Sequence, residues 1–263
     1  MTRWIIKKEF SKLPKLNNPI LIEGLPGVGN VGKIAVDFLI DSLNPRVLYR
    51  IYSHAFPHSV FLTENNQIEL PSVKLYYSKR KKRDFLFLAG DVQPVSERAS
   101  YEFCEKILDF AQELGCKEII TLGGIGLPDE VKSPTVFGAT TDAETMRKYK
   151  KFRGVKFTAH ERVEAIVGAS GLLLGLAQLR NLNGISLLTE TYAHQLHFGF
   201  KEAKTVLGEL KKILELETLD LSEFEKEVIS YEQEKVKLEQ ETKLLKKLKT
   251  QLGETAPDTK YIG

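Results

Sequence analysis

Only two cysteines, Cys104 and Cys116, occur in the 263 residues. That is too few, and they lie too close to one helical-looking run, for a disulfide scaffold or a zinc site, so a reducing interior suits the chain. Uninterrupted apolar runs of about 18 residues, the length that crosses a bilayer, are also missing. The most apolar segment, Ala165 to Leu179, is broken by Gly168, Ser170, Gly171 and Gly175, and reads as a strand turning into a buried helix. With no basic, apolar and small-residue leader at the start, the expectation is a soluble cytoplasmic protein without a membrane partner. Charge of one sign is lacking as well: 38 basic residues against 35 acidic leave +3, which gives no electrostatic argument for a nucleic-acid partner. The longest basic run, Lys79 to Arg83, has no interleaved aromatics and reads as a solvated hairpin tip between two strands.

What the chain does have is a glycine-rich turn. Gly24 to Lys33 reads GLPGVGNVGK, directly after the apolar run Pro19 to Ile22 and before the helical stretch from Ile34. Two nucleotide motifs nearly fit. Gly27, Gly29 and Gly32 spell G-x-G-x-x-G, which lets a backbone approach a pyrophosphate at a helix N-terminus. That fingerprint requires an acidic residue about 20 positions on, and the second strand, Arg46 to Tyr52, runs instead into Ser53, His54 and Ala55. Gly27 to Lys33 also supplies G-x-x-x-x-G-K, but the next residue is Ile34, where a phosphate-binding loop needs a Ser or Thr hydroxyl for magnesium. Two readings stay open: a packing device in which glycine permits close approach of helix and strand, and a nucleotide or anion site that uses Lys33.

Residues 19 to 216 alternate between short β-rich runs and longer helical ones, so the expected fold is α/β, a mostly parallel sheet with helices on both faces. Expected strands are 20–23, 46–52, 73–77, 84–89, 118–121, 163–167 and 184–188. Expected helices are 31–42, 96–114, 143–149, 171–181 and 200–217; Ser96, Glu97 and Gly115 punctuate the second of them. Glycine-bearing loops 90–94, 123–128 and 137–142 each follow a strand-like run. They are expected to converge with the first turn at the carboxyl edge of the sheet, where ligands bind in open α/β folds.

Beyond residue 217 the composition turns charged and helical. Phe224, Tyr231, Leu238, Leu245 and Leu252 recur every seven residues, with Val228 beside the first, which predicts one stripe on a long helix of coiled-coil character over 218–252. Lys235, Thr242 and Lys249 make the seam half polar. Residues 253–263 read as a flexible tail in which Tyr261 and the Gly263 carboxylate could be captured by a partner. The domains expected are thus 1–217, 218–252 and 253–263.

Catalytic chemistry finds no good candidate. Glu190, His194 and His197 have metal-ligand spacing on a helix, but their surroundings read as a loop, and no metal or cofactor is expected. Asp91, Asp129, Glu130 and Asp142 sit in the glycine loops, where acids usually cap backbone amides. Ser170 is not in a G-x-S-x-G elbow.

The ordered set Gly24 to Gly32, Gly123-Gly-Ile-Gly126, Phe137-Gly-Ala-Thr-Thr-Asp142, Gly168 to Gly175 and Leu187-Leu-Thr-Glu-Thr191 resembles the proteasome-assembly-chaperone family, in particular its archaeal ATP-independent homologues, over residues 1 to 217. The resemblance implies a non-enzyme of nucleoside-phosphorylase-like architecture, with Gly24, Gly27, Gly29, Gly32, Lys33, Gly124, Gly126, Gly138 and Asp142 as family-motif positions. It implies a homo-oligomer, tetramer or pentamer, whose C-terminal tail meets 20S proteasome α-subunits, or a paralogous partner. The corresponding tail here is Lys260, Tyr261, Ile262 and Gly263; the tyrosine is third from the end, one position too early for the family's hydrophobic-tyrosine-any-residue ending. The competing expectation is an enzyme binding a nucleoside or nucleotide at Gly24 to Lys33.

Overall fold

The computed structural model describes residues 2–233. These fall in two compact units, divided between Leu219 and Asp220.

The first unit is built on a nine-stranded mixed sheet. Its strands are β1 (Trp4–Lys8), β2 (Ile20–Gly24), β3 (Arg46–Ser53), β6 (Val73–Ser78), β7 (Phe85–Gly90), β8 (Glu118–Leu127), β9 (Val136–Thr140), β10 (Val155–Lys156) and β11 (Asn183–Tyr192). A separate ribbon of two short strands, β4 (Phe61–Leu62) and β5 (Ile68–Glu69), lies between β3 and β6. The sheet order is β1-β3-β6-β7-β2-β8-β11-β9-β10. The centre, β7-β2-β8-β11, is parallel, as expected. The β1, β3 and β6 side is antiparallel, because the short connection around Lys79 to Arg83 turns β6 back into β7 as a hairpin. On the other side β9 runs antiparallel to β11.

Five helices cover the sheet: α1 (Val31–Leu43), α2 (Glu97–Glu113), α3 (Ala143–Tyr149), α4 (Ala169–Leu179) and α5 (Phe200–Ile213). α1 packs with α5, and α2 with α4. The two pairs lie on opposite faces, as the alternation of side chains along β2 shows: Leu21 joins the core beneath α2 and α4, whereas Gly24 looks onto α1. α2 starts where the sequence predicts, with the Ser96 hydroxyl accepting from the Ala99 amide at 3.3 Å, and Gly115 adopts φ +79° after its end.

Three expectations change. Val163 to Val167 is irregular chain, not a strand, and leads into α4. Gly124 and Gly126 belong to β8, which runs on through them to Leu127, and Gly138 belongs to β9, so these glycines are in strands, not loops. β1, β4, β5, β9 and β10 are strands that the sequence pattern does not predict.

In the second unit residues 222–233 are helical, and Phe224, Val228 and Tyr231 fall on them. Leu238, Leu245 and Leu252 of the seam, and Lys260, Tyr261, Ile262 and Gly263 of the tail, lie outside the described residues.

Candidate functional site

The glycine turn leaves β2 at the carboxyl edge of the parallel centre. Its local form follows from what its glycines touch. A Cβ on Gly24 would sit 2.1 Å from the Gly32 carbonyl oxygen, and one on Gly32 would sit 2.3 Å from the Leu122 carbonyl oxygen. The first turn of α1 is therefore seated directly on β2 and β8, closer than any side chain permits. Gly29 takes φ +61° and faces Thr191 of β11; a Cβ there would come 2.6 Å from the threonine hydroxyl. Gly124 makes room for the Val28 carbonyl, 2.4 Å from where its Cβ would be. Gly27 differs: its backbone is extended, φ −156°, and its missing side chain points into open space.

The turn is also tied to the loop after β11. The Gly199 amide donates to the Gly29 carbonyl at 2.7 Å. Beneath this contact the buried Glu202 of α5 accepts from the Thr191 hydroxyl at 3.2 Å and meets His197 Nε2 at 3.0 Å. His197 is thereby a structural partner of Glu202. Its supposed companions are elsewhere: Glu190 accepts from the Thr135 amide and pairs with Arg162, and no group of three metal-ligating side chains forms among the described residues.

A cavity of about 230 Å³ opens beside the turn, lined by Pro26, Gly27, Gly123, Gln93, Ser170 and aliphatic side chains. Its polar groups are already engaged. The Gln93 amide donates to the Pro26 carbonyl and accepts from the Ala169 amide, and the Ser170 hydroxyl donates to Glu23 at 3.2 Å. No Lys or Arg lines it. Lys33 is bonded to Asp37, one turn along α1, at 2.6 Å. A phosphate in the turn would have backbone amides but no cation, and Ile34 offers magnesium nothing.

Glu23, which the sequence reading passed over, is the least conventional group here. It is fully buried in β2 and accepts from the Leu25 amide at 3.1 Å and from Ser170. Burial raises its carboxyl to about 8, outweighing those two hydrogen bonds. Thr121 and Ser186 stand beside it at matching register on β8 and β11, and both are fully buried. The Glu23 Oε2, Thr121 and Ser186 oxygens have no hydrogen-bond partner among the described residues. The clue in the sequence was an acid inside an otherwise apolar strand.

The remaining candidate acids are structural or exposed. Asp142 caps α3, accepting from the Thr145 amide at 2.8 Å and its hydroxyl at 2.6 Å, and these bonds lower its carboxyl to about 2. Asp91 accepts from the Ser72 amide, while Asp129 and Glu130 lie exposed after β8.

The glycines at this edge let helix and strands pack closely, and residues 21–239 match the PAC2 family. The chain belongs to that family. This PAC2 chain is 37% identical to Pyrococcus furiosus PbaB, described as an archaeal proteasome activator, over 91% of its own length and 100% of that chain, with a TM-score of 0.83. It is 26% identical to P. furiosus PbaA, described as an archaeal homolog of proteasome-assembly chaperone, with a TM-score of 0.73 and coverage of 94% and 97%. An uncharacterized Methanocaldococcus jannaschii protein, MJ1210, is 31% identical over 98% of both chains. The resemblance seen in the ordered glycine motifs is thus met, and the PAC2 chain stands among proteasome-assembly-chaperone-like proteins. Among its motif positions, Gly24, Gly29, Gly32 and Gly124 come together around the first turn of α1, and Gly126 faces Val28 of the turn as well as Ala193, whereas Gly138 faces Val155 and Phe157 near the far strand β10. Asp142 lies at the start of α3, away from them.

Proposed function

We propose that this protein is a non-enzymatic chaperone or adaptor for proteasome core particles. It self-associates, as a tetramer or pentamer, and engages 20S α-subunits or a paralogous partner through the tail Lys260 to Gly263. The likeness to PbaB over nearly the whole chain carries the reading. The occupied polar groups and missing cation at the glycine turn support a packing role for that turn rather than nucleotide chemistry.

The test is a pull-down with archaeal 20S cores, comparing the full chain with a form ending at Gly253. Retention of the full chain and loss of the shortened form is the expected result. Equal retention would remove the tail from the account, and no retention of either would remove the core particle. A thermal-shift series with ATP, GTP, NAD and nucleosides, with and without magnesium, checks the competing enzyme. A ligand present at a hundredfold excess over its dissociation constant would stabilise the fold by about 2.7 kcal/mol, and no such shift is expected.

A further inference from the structure

Two surfaces of the first unit are unusual, and they are complementary. The first is the β4-β5 ribbon. A two-stranded ribbon outside the main sheet is marginal on its own in water. This one nevertheless turns Phe61, Leu62, Ile68 and Leu70 outward, at 44, 74, 69 and 61% exposure, with Val60 beside them. Single exposed apolar side chains are ordinary, but five on one short ribbon mark a docking surface. Its charges are of one sign: residues 54–73 contain Glu64 and Glu69, both exposed, and no Lys or Arg.

The second surface is a groove of about 650 Å³, within the roughly 300–1,000 Å³ of cavities that seat a ligand. Its lining includes apolar Ile20, Phe85, Phe152, Ile213, Leu214 and Leu216. Around them stand Arg80, Lys81, Lys82, Arg83, Lys148 and Lys151. Glu118 takes up Arg83, at 2.8 Å, and Lys148, while Glu215 takes up Lys82. That leaves the Arg80 guanidinium and the Lys81 ammonium without a carboxylate partner among the described residues, while Lys151 attracts Glu215 without forming an ion pair with it. The basic run that reads as a solvated hairpin tip in the sequence is one wall of this groove.

The two surfaces lie at opposite edges of the sheet. The ribbon follows the end of β3 and precedes the start of β6, at the carboxyl edge of the parallel strands. The groove holds Ile20 and Phe85, the first residues of β2 and β7, at the amino edge. Strand β7 alone, six residues, separates the two edges by about 20 Å, so the ribbon of one chain does not fill its own groove. A two-fold pairing of ribbon on ribbon would bring Glu64 and Glu69 of both copies together and leave the groove unused.

We infer that the ribbon of one copy docks in the groove of the next, with Phe61, Leu62, Ile68 and Leu70 on its apolar lining and Glu64 and Glu69 against Arg80, Lys81 and Lys151. Such a contact joins unlike surfaces, so repetition closes a ring or extends a chain, according to the rotation between neighbours. The inference rests on the self-association proposed above. It is tested on the purified full chain with no proteasome present, so it can fail while core-particle binding survives.

The experiment is charge reversal read by light scattering and sedimentation velocity at low salt. One variant carries Glu64→Lys and Glu69→Lys, the other Lys81→Glu and Lys151→Glu; all four side chains are exposed, and circular dichroism checks the fold. The wild type is expected at a multiple of 29.8 kDa, each variant alone at the monomer mass, and an equimolar mixture back at a multiple, since each reversed ribbon then meets a reversed groove. Leu62→Asp with Ile68→Asp, which leaves every existing charge in place, is expected to dissociate the wild-type assembly as well. A monomeric wild type would overturn the inference. So would reversed variants that keep the wild-type mass, or dissociation by the ribbon changes alone with the groove variant unaffected, which would mean a different occupant.

Discussion

Glu23 shows how far burial can move one side chain from its ordinary behaviour. Its carboxyl holds the start of the glycine turn through the Leu25 amide and the start of α4 through Ser170, so it pins together two elements that arrive from opposite faces of the sheet. With its folded value near 8 and its ordinary value near 4.5, the unfolded chain loses this proton first. Between those two values the unfolded state binds fewer protons than the folded state, and stability falls as pH rises. Glu23→Gln keeps an oxygen for both donors and removes the titration. The variant is expected to be no more stable than the wild type at pH 4.5 and to gain on it steadily up to pH 8, by a few kcal/mol. Urea melts of both forms at four pH values give the comparison, and a gap that does not change with pH would mean that the carboxyl is ionised in the fold.

At the scale of elements, the unit from β2 through the turn to α1 is held by contacts that exclude side chains, and its glycines divide accordingly. Gly32→Ala pushes a methyl group against the Leu122 backbone and Gly24→Ala pushes one against the Gly32 backbone, so each is expected to cost about 1–3 kcal/mol or more. Gly27→Ala meets open space in an extended conformation that alanine adopts freely, so its effect should stay within about 0.5 kcal/mol. Thermal melts of the three variants decide it; equal losses at all three positions would mean that something other than packing fixes the turn. This unit was legible in the sequence because the apolar run, the glycines and the following helix are all local signals. So was α2, whose cap and terminal glycine are written in the chain. β8 was cut short because Gly123, Gly124 and Gly126 look like a loop, whereas a strand can carry glycine where another backbone presses on it, as Val28 does on Gly124. Val163 to Val167 erred the other way: an apolar run of strand length here lines a cavity and supplies the approach to α4. β1 is an edge strand whose five residues alternate only weakly in burial, and its place is fixed by pairing with β3 rather than by its own pattern. The acid set of Asp91, Asp129, Glu130 and Asp142 was legible only as capping chemistry, which is what Asp142 performs, while Glu202 and Thr191 gained their roles from chain folding alone.

At the scale of the whole chain, the first unit presents two unlike edges and the second carries a helical segment, residues 222–233, and the question is which of them assembles the protein. The seven-residue stripe from Phe224 to Leu252 pointed in the sequence to the second unit, but its later companion positions, Lys235, Thr242 and Lys249, make a poor hydrophobic seam. The exposed ribbon and the basic groove both belong to the first unit. If they form the contact between copies, a chain ending at Leu219 retains every residue that contact uses. The expected outcome is therefore that this shortened form, checked for native circular dichroism, keeps the subunit number of the full chain while losing capture by 20S cores, because the tail is gone. Light scattering of both forms across a concentration series separates the possibilities. Dissociation of a folded, shortened form to monomers would move the assembly function from the sheet edges to the second unit, and with it the physical reason for the apolar ribbon.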